Sequence, residues 1–398
     1  MKVEKKEAFQ PELRAKENPL FSMGGVGANT VHNNYTKGAK FSRRLRRARQ
    51  RVVRKILKAK TGFAKGSLGK QIGSCREVNF TDVEMLRGEA AYYQGLVTCQ
   101  NFWLCPFCSA KRAEQRREEV NGALAVARQD GKQIVLLTFT MQHRRGEQLA
   151  ELLEVLQSAY SGMRQSPQFR KIQFCGLARA LELTWGEANG WHPHFHVVAI
   201  LDAESPEAAL EAVEPLRAVW VDRLQRRGRD GAEDRAFDAR GGSAAGDYIT
   251  KWGVAEELTL SGVKEAKNGG LSQWDFLDRA AQEPRFAEIW WEFAQATRGK
   301  RLLQMNEDFK QLASRFEEVA GEPEVEPEFV MDFEDWSAVK DRQVKMLEAA
   351  ESCADIDAAR VAIAVAMHNR GTDRDLPLEP EGEVIEEKRH RKTEGFRD

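Results

Sequence analysis

Between residues 132 and 201 the chain alternates between a two-residue and a helical hydrophobic period. Over 132–140, Val135, Leu137 and Phe139 alternate with Leu136, Thr138 and Thr140, which predicts a strand. Leu149, Leu152, Leu153, Leu156 and Tyr160 then recur at helical spacing, predicting a helix over 147–164. Two further apolar runs, 174–185 and 191–201, read as strands flanking a turn at 186–190. Asn189-Gly190 is a favoured hairpin dipeptide, because both residues tolerate positive φ.

The rest of the pattern is mostly helical. Leu45, Ala48, Val52 and Ile56 form one modest apolar stripe on a helix near 40–60. Ala209, Val213, Leu216, Trp220 and Leu224 share one face of a helix over 206–227. A glycine-rich, charged loop is expected at 228–246, then the start of a helix at 244–252. Helical patterns follow at 271–299, 306–319 and 337–367, the last two separated by an acidic, proline-bearing linker at 321–334. Residues 1–36 and the tail after Gly371 show no period.

Charge changes this picture. The formal net charge is zero, with 61 basic and 61 acidic side chains, but they are unevenly placed. Residues 37–60 carry twelve Lys or Arg and no acid, while residues 322–335 carry seven acids and no base. A helix so basic points to phosphate-backbone contact, with a membrane-surface helix as the weaker alternative because its apolar stripe is thin. A hydrolase of small substrates has no use for it. No apolar run reaches 18 residues and no apolar segment follows the N-terminal lysines, so a cytoplasmic protein without a membrane span is expected.

The chemistry concentrates in two places. Trp191-His-Pro-His-Phe-His196 puts three of the seven histidines at alternate positions of a strand. Side chains two apart point to the same face, so His194 and His196 can aim two imidazoles at one point. A symmetric hairpin about the turn would place Glu182 opposite His194, and a one-residue slip would turn it away. Two imidazoles and a carboxylate suit a divalent ion acting on phosphate. His192 shares the face as a further ligand, a hydrogen-bonding neighbour or a strand-start histidine. The second place is Cys99 with Cys105-Pro-Phe-Cys108, to which Cys75 can add a fourth thiolate for a structural zinc. A redox Cys-x-x-Cys pair is the alternative. Cys175 and Cys353 read as ordinary small apolar residues.

In this order, with Tyr248-Ile-Thr-Lys251 downstream, the motifs resemble those of plasmid rolling-circle replication initiators of the HUH endonuclease superfamily, in particular those with a cysteine cluster ahead of the catalytic domain. The likeness runs from about residue 75 to 305 and includes Leu136-Leu-Thr-Phe-Thr140, Arg179-Ala-Leu-Glu182 and the segment from Trp290 to Arg301.

The resemblance implies an α+β fold, an antiparallel sheet with flanking helices, joined to a small zinc-stabilised segment and a helical C-terminal extension. It implies that Tyr248 nicks origin DNA, forming a 5′-phosphotyrosyl link and freeing a 3′-hydroxyl primer. Lys251 would assist the phenolate, and Mg2+ or Mn2+ would sit on Glu182, His194 and His196, with His192 as a further candidate ligand. Zn2+ would sit on Cys75, Cys99, Cys105 and Cys108. Single-stranded or hairpin origin DNA, a host helicase and a host polymerase are the implied partners, and a homodimer is compatible. Many members carry a glutamate four residues before the tyrosine, where this chain has Ala244, so Asp247 is the candidate substitute in termination.

The expected layout is a leader (1–36), a basic DNA-binding helix (37–74), a zinc segment (75–130) and a catalytic domain (131–305). A helical and acidic extension (306–370) and a disordered charged tail (371–398) complete it. A non-catalytic origin-binding or copy-control protein and a single-tyrosine transposase or relaxase are the alternatives.

Overall fold

The computed structural model describes residues 28–87, 90–229, 233–241, 270–317, 327–353, 355–368 and 371–375. Its described parts form two compact units. The first comprises residues 1–45, 82–94 and 325–398, and the second residues 46–81 and 95–324.

The second unit is built on a five-stranded sheet in the order β6-β3-β5-β4-β7, all neighbours antiparallel. Its strands are β3 (Gln133–Phe139), β4 (Phe174–Gly186), β5 (Gly190–Leu201), β6 (Phe237–Arg240) and β7 (Leu303–Met305). The expected hairpin forms as β4 and β5, turning at Gly190 with φ 72°. β5 is the middle strand and all but one of its residues are buried. This is the α+β architecture implied by the motifs.

Alternation gives the sheet two different faces. Leu181, Leu183, Phe195, Val197 and Ala199 point into the larger core. There they meet Leu152, Leu153, Leu156 and Tyr160 of α4 (Leu149–Arg164) and helices from the 206–225 and 273–296 regions. Each such buried side chain contributes roughly 1.5–3 kcal/mol. Ala178, Ala180, Val198 and Ile200 point the other way, against Val120, Ala123, Leu124 and Ala127 of α3 (Pro106–Gln129) and Phe309. Small alanines on β4 leave room for the helix Glu307–Glu317, which brings Phe309 to this face. Glu182, His194 and His196 belong to this second face by alternation.

Several elements differ from the pattern. The helix expected over 206–227 is two, α6 (Pro206–Val213) and α7 (Pro215–Gln225), because Pro215 has no N–H to continue the ladder. The 271–299 pattern likewise divides at Pro284 into α9 (Gln273–Ala280) and α10 (Arg285–Ala296). Residues 237–240, expected in a loop, form an edge strand on β3.

In the first unit β1 (Asn79–Arg87) pairs antiparallel with β8 (Pro327–Met331), with Val83 opposite Met331. Here β8 occupies part of the expected acidic linker. The 337–367 helix is instead three segments, Phe333–Val339, Gln343–Glu351 and Ile356–His368. Asp373, expected in a loose tail, is 4% exposed and accepts from the backbone N–H groups of Val344 and Lys345.

The basic helix begins at Ala28 and runs to Thr61 as α1. Its own sequence lacks acids from 37 to 60, but acids from elsewhere in the chain meet it. In the second unit Arg47 and Arg54 pair with Glu77, Arg49 with Asp278 and Lys60 with Glu288. In the first, Arg43 and Arg44 pair with Glu351 and Glu348. Part of the helix's positive charge is therefore met by acids from elsewhere in the chain. No described helix is long and apolar enough to cross a membrane.

Candidate functional site

Register decides the site. On β4 and β5, Glu182 stands opposite His194, Ala180 opposite His196 and Thr184 opposite His192. The symmetric hairpin is realised with no slip at these positions. Glu182 Oε2 lies 3.1 Å from His194 Nε2 and 2.9 Å from His196 Nε2, and the two nitrogens are 3.0 Å apart. His194 and His196 are 9% and 7% exposed.

Burial opposes the charge on the Glu182 carboxylate, but the hydrogen bonds from His194 and His196 outweigh it and hold its pKa well below the usual range. A carboxylate that stays ionised while buried is suited to a cation. Two Nε2 atoms facing each other at 3.0 Å need a proton or a cation between them. Three convergent donor atoms of this kind can coordinate a metal ion.

The surrounding groups orient the rings. Thr138, directly across β3 from His196, has its hydroxyl 3.2 Å from His196 Nδ1. With a cation in place of the proton it donates to Glu182, His196 would keep Nδ1–H on that oxygen and turn an Nε2 lone pair to the cation. His194 Nδ1 is buried and has no partner among the described residues.

His192 stands outside the three-residue cluster. Its Nδ1 lies 2.7 Å from Nε2 of His143, a residue the sequence pattern did not single out. His143 Nδ1 is 3.1 Å from the carbonyl oxygen of Asn189 in the hairpin turn. A carbonyl can only accept, so His143 Nδ1–H donates to it, and His143 Nε2 and His192 Nδ1 share one proton between them. Burial, then the charges of His194 and His143, lowers the His192 pKa to about 4, so this ring is neutral at physiological pH. Of the roles open to His192, the structure shows the hydrogen-bonding neighbour. Successive ring centroids from His143 through His192 and His194 to His196 are 4.7, 4.9 and 4.7 Å apart.

Arg179 is not the partner of Glu182. It lies on the opposite face, its guanidinium 4.3 Å from the Phe195 ring centroid and 4.8 Å from that of Tyr160. Tyr248, Lys251, Asp247 and Ala244 lie outside the described residues.

The cysteines form a second cluster. Cys75, Cys99, Cys105 and Cys108 are buried, with Cys75–Cys108, Cys99–Cys108 and Cys75–Cys105 sulfur separations of 3.6 Å each. These are far too long for disulfides, whose S–S bond is about 2.05 Å, and suit four sulfurs around one ion. Arg76 and Gln100, immediately after Cys75 and Cys99, adopt φ of 58° and 51°. These left-handed residues bend the backbone sharply beside each sulfur. Cys105 caps α3, with Pro106 in its first turn. Hydrogen bonds within the cluster pull the Cys108 thiol down and push Cys105 up, so a cation is needed before all four can ionise together.

Among known proteins, residues 93–207 match a family described as "Replication protein". That stretch holds Cys99, Cys105, Cys108, His143, Glu182 and the three strand histidines. A "Protein rep" of Streptomyces lividans is 25% identical over 291 residues, covering 55% of this chain and 64% of the relative. A "Neomycin resistance protein" of Streptomyces cyanogenus is 29% identical over 175 residues, 35% of this chain and 40% of the relative. The matched part thus spans less than two thirds of either relative. No solved structure matches the chain.

Proposed function

We propose that this chain, whose residues 93–207 match the replication-protein family and which carries a cysteine cluster capable of metal coordination, initiates rolling-circle replication by nicking origin DNA. The observation that carries this reading is the β4–β5 register, which brings one oxygen of Glu182 and two histidine nitrogens to within 3.1 Å of one another.

In this reading Glu182, His194 and His196 hold Mg2+ or Mn2+. Ligands about 2.1 Å from an ion and at right angles lie about 3.0 Å apart, which fits the separations of 2.9–3.1 Å. The ion supplies Lewis-acid polarisation of the scissile phosphate. Thr138 fixes the His196 ring, and the hydrogen-bonded His192–His143 pair extends the donor-bearing face along the strand. The Tyr248 hydroxyl, whose ordinary pKa near 10 calls for electrostatic help, attacks phosphorus as its proton is lost. The O3′–P bond breaks, leaving a 5′-phosphotyrosyl link and a free 3′-hydroxyl for a host polymerase, with a host helicase opening the duplex. Lys251 favours the phenolate, and Asp247 serves the closing transfer in place of the missing glutamate.

The cysteine cluster is assigned to zinc. Sulfurs about 2.3 Å from a tetrahedral ion have edges of about 3.8 Å, close to the 3.6 Å separations. With four thiolates no position stays open, so this site is structural. Sequence-independent DNA contact falls less to α1, several of whose cations are neutralised, than to the basic start of α3.

Cleavage of labelled single-stranded DNA from the protein's own replicon, with Mg2+ or Mn2+ titrated, tests the proposal. Cleavage is expected to need the ion and to fall at least a hundredfold in His194→Ala/His196→Ala. Tight origin binding with no cleavage under any divalent ion would instead make the protein a non-catalytic initiator or control protein.

A further inference from the structure

Outside the metal cluster, a cavity of about 350 Å³ lies between the start of α3 and the segment Gly299–Leu303. Trp103 and Leu303 are among its apolar walls, and Arg112, Arg116, Lys300 and Arg301 bring four cations to it. Arg116 is neutralised by Glu119. The other three have no carboxylate ion pair among the described residues. Arg112 makes only a long 3.4 Å contact to Gln115, and Lys300 reaches the Gln157 side-chain oxygen at 3.2 Å. Burial, then the Arg116 charge, lowers the Arg112 pKa, with Glu119 acting in the opposite direction. The Arg112 guanidinium lies 5.5 Å from the Phe102 ring centroid, which holds a flat cation at the cavity wall.

The position of this cavity relates it to the metal cluster. Leu303 pairs with Ala180, two residues along β4 from Glu182 and therefore on the same sheet face. Leu181 N–H donates to the Leu302 carbonyl at 2.8 Å, and Trp103 Nε1–H to that of Lys300 at 2.9 Å. The cavity wall is thus tied on one side to the strand that carries Glu182 and on the other to the cysteine knuckle.

We propose that this cavity is a subsite for one unpaired nucleotide of a DNA strand lying across the metal cluster, its base on the Phe102–Trp103–Leu303 wall and its phosphates on Arg112, Lys300 and Arg301. This rests on the reading that the protein acts on single-stranded DNA. An apolar floor with a cationic rim matches a nucleotide, whose base is flat and apolar-faced and whose backbone is anionic. Arginine suits the rim because its guanidinium both stacks and binds phosphate through two N–H groups. Such a subsite grips a strand without reading its sequence. It also gives the zinc knuckle a function beyond stability, since the knuckle positions Phe102, Trp103 and the start of α3.

The test uses the full chain and a 20-nucleotide oligothymidylate carrying 5-iodouracil. Irradiation of the wild-type complex is expected to cross-link the peptide holding Phe102 and Trp103. Arg112→Ala/Arg301→Ala is expected to bind about tenfold more weakly at moderate salt. Its log–log salt slope should be shallower by about 1.4, two single-strand phosphate contacts at about 0.7 each. Zinc content and melting temperature, matching wild type, show that the variant is folded. Wild-type binding with cross-links elsewhere and an unchanged slope in the variant would overturn the subsite while leaving the DNA reading intact. No binding of single-stranded DNA by the wild type would overturn the DNA reading and the subsite with it.

Discussion

His143 Nε2 lies 2.7 Å from His192 Nδ1, joining the loop after β3 to the strand that carries His194 and His196. The same loop histidine is anchored at its other nitrogen by the Asn189 carbonyl. His143 therefore holds the orientation of His192 without entering the cluster. His143→Ala is expected to slow nicking about tenfold, in the range seen for outer groups of metal sites, while Mn2+ affinity stays within about twofold. Single-turnover rates and Mn2+ titration by calorimetry separate the two effects. Loss of metal binding would show His143 or His192 to be a ligand.

Acid should destabilise the metal-free protein in a definite window. The folded His192 pKa of about 4 lies below its ordinary 6.5, so the unfolded chain takes the proton first as pH falls. The stability gained from the neutral ring is complete above about pH 6.5 and is lost as pH falls towards 4. Glu182, also held low, acts in the same direction at lower pH. Urea denaturation at pH 7, 5 and 4 should show this fall, and His192→Gln should flatten it above pH 5. An equal slope in the variant would contradict the assignment.

Thr138→Val removes the hydroxyl that lies 3.2 Å from His196 Nδ1 while keeping the strand packing. Metal affinity is expected to drop about tenfold with the melting temperature nearly unchanged. Calorimetry with Mn2+ and a thermal melt check this. Unaltered affinity would show that the His196 ring is held by its packing alone.

The zinc assignment predicts one zinc per chain in protein purified without added metal. Cys108→Ser is expected to lose it and to lower the melting temperature by roughly 10 °C, as a loss of several kcal/mol would in a chain this size. Elemental analysis and calorimetry measure both. A variant that melts like wild type would favour the redox alternative for the cysteine pair.

Much of the metal cluster was legible because it is local. Asn189-Gly190 fixes the turn, alternation fixes the faces, and together they set Glu182 across from His194 before any tertiary contact is considered. His143 was not legible, since it sits in a loop with no period and its position depends on how that loop folds over the hairpin turn. The same limit explains α1. Its acid-free sequence suggested free cations, yet Glu77, Asp278 and Glu288 come from distant parts of the chain. β6 was missed because four residues between charged and glycine-rich stretches give too short an alternation. The unbroken helices expected over 206–227 and 271–299 failed at Pro215 and Pro284, where spacing alone carries an apolar stripe across a break in the backbone.

The most direct measurement is mass spectrometry of the covalent adduct. The protein would be incubated with Mn2+ and single-stranded origin DNA, digested with trypsin and nuclease, and searched for a nucleotide-bearing peptide. A phosphotyrosyl peptide containing Tyr248 is expected, absent from Tyr248→Phe and from His194→Ala/His196→Ala. A nick made without any adduct, or an adduct on another residue, would contradict it.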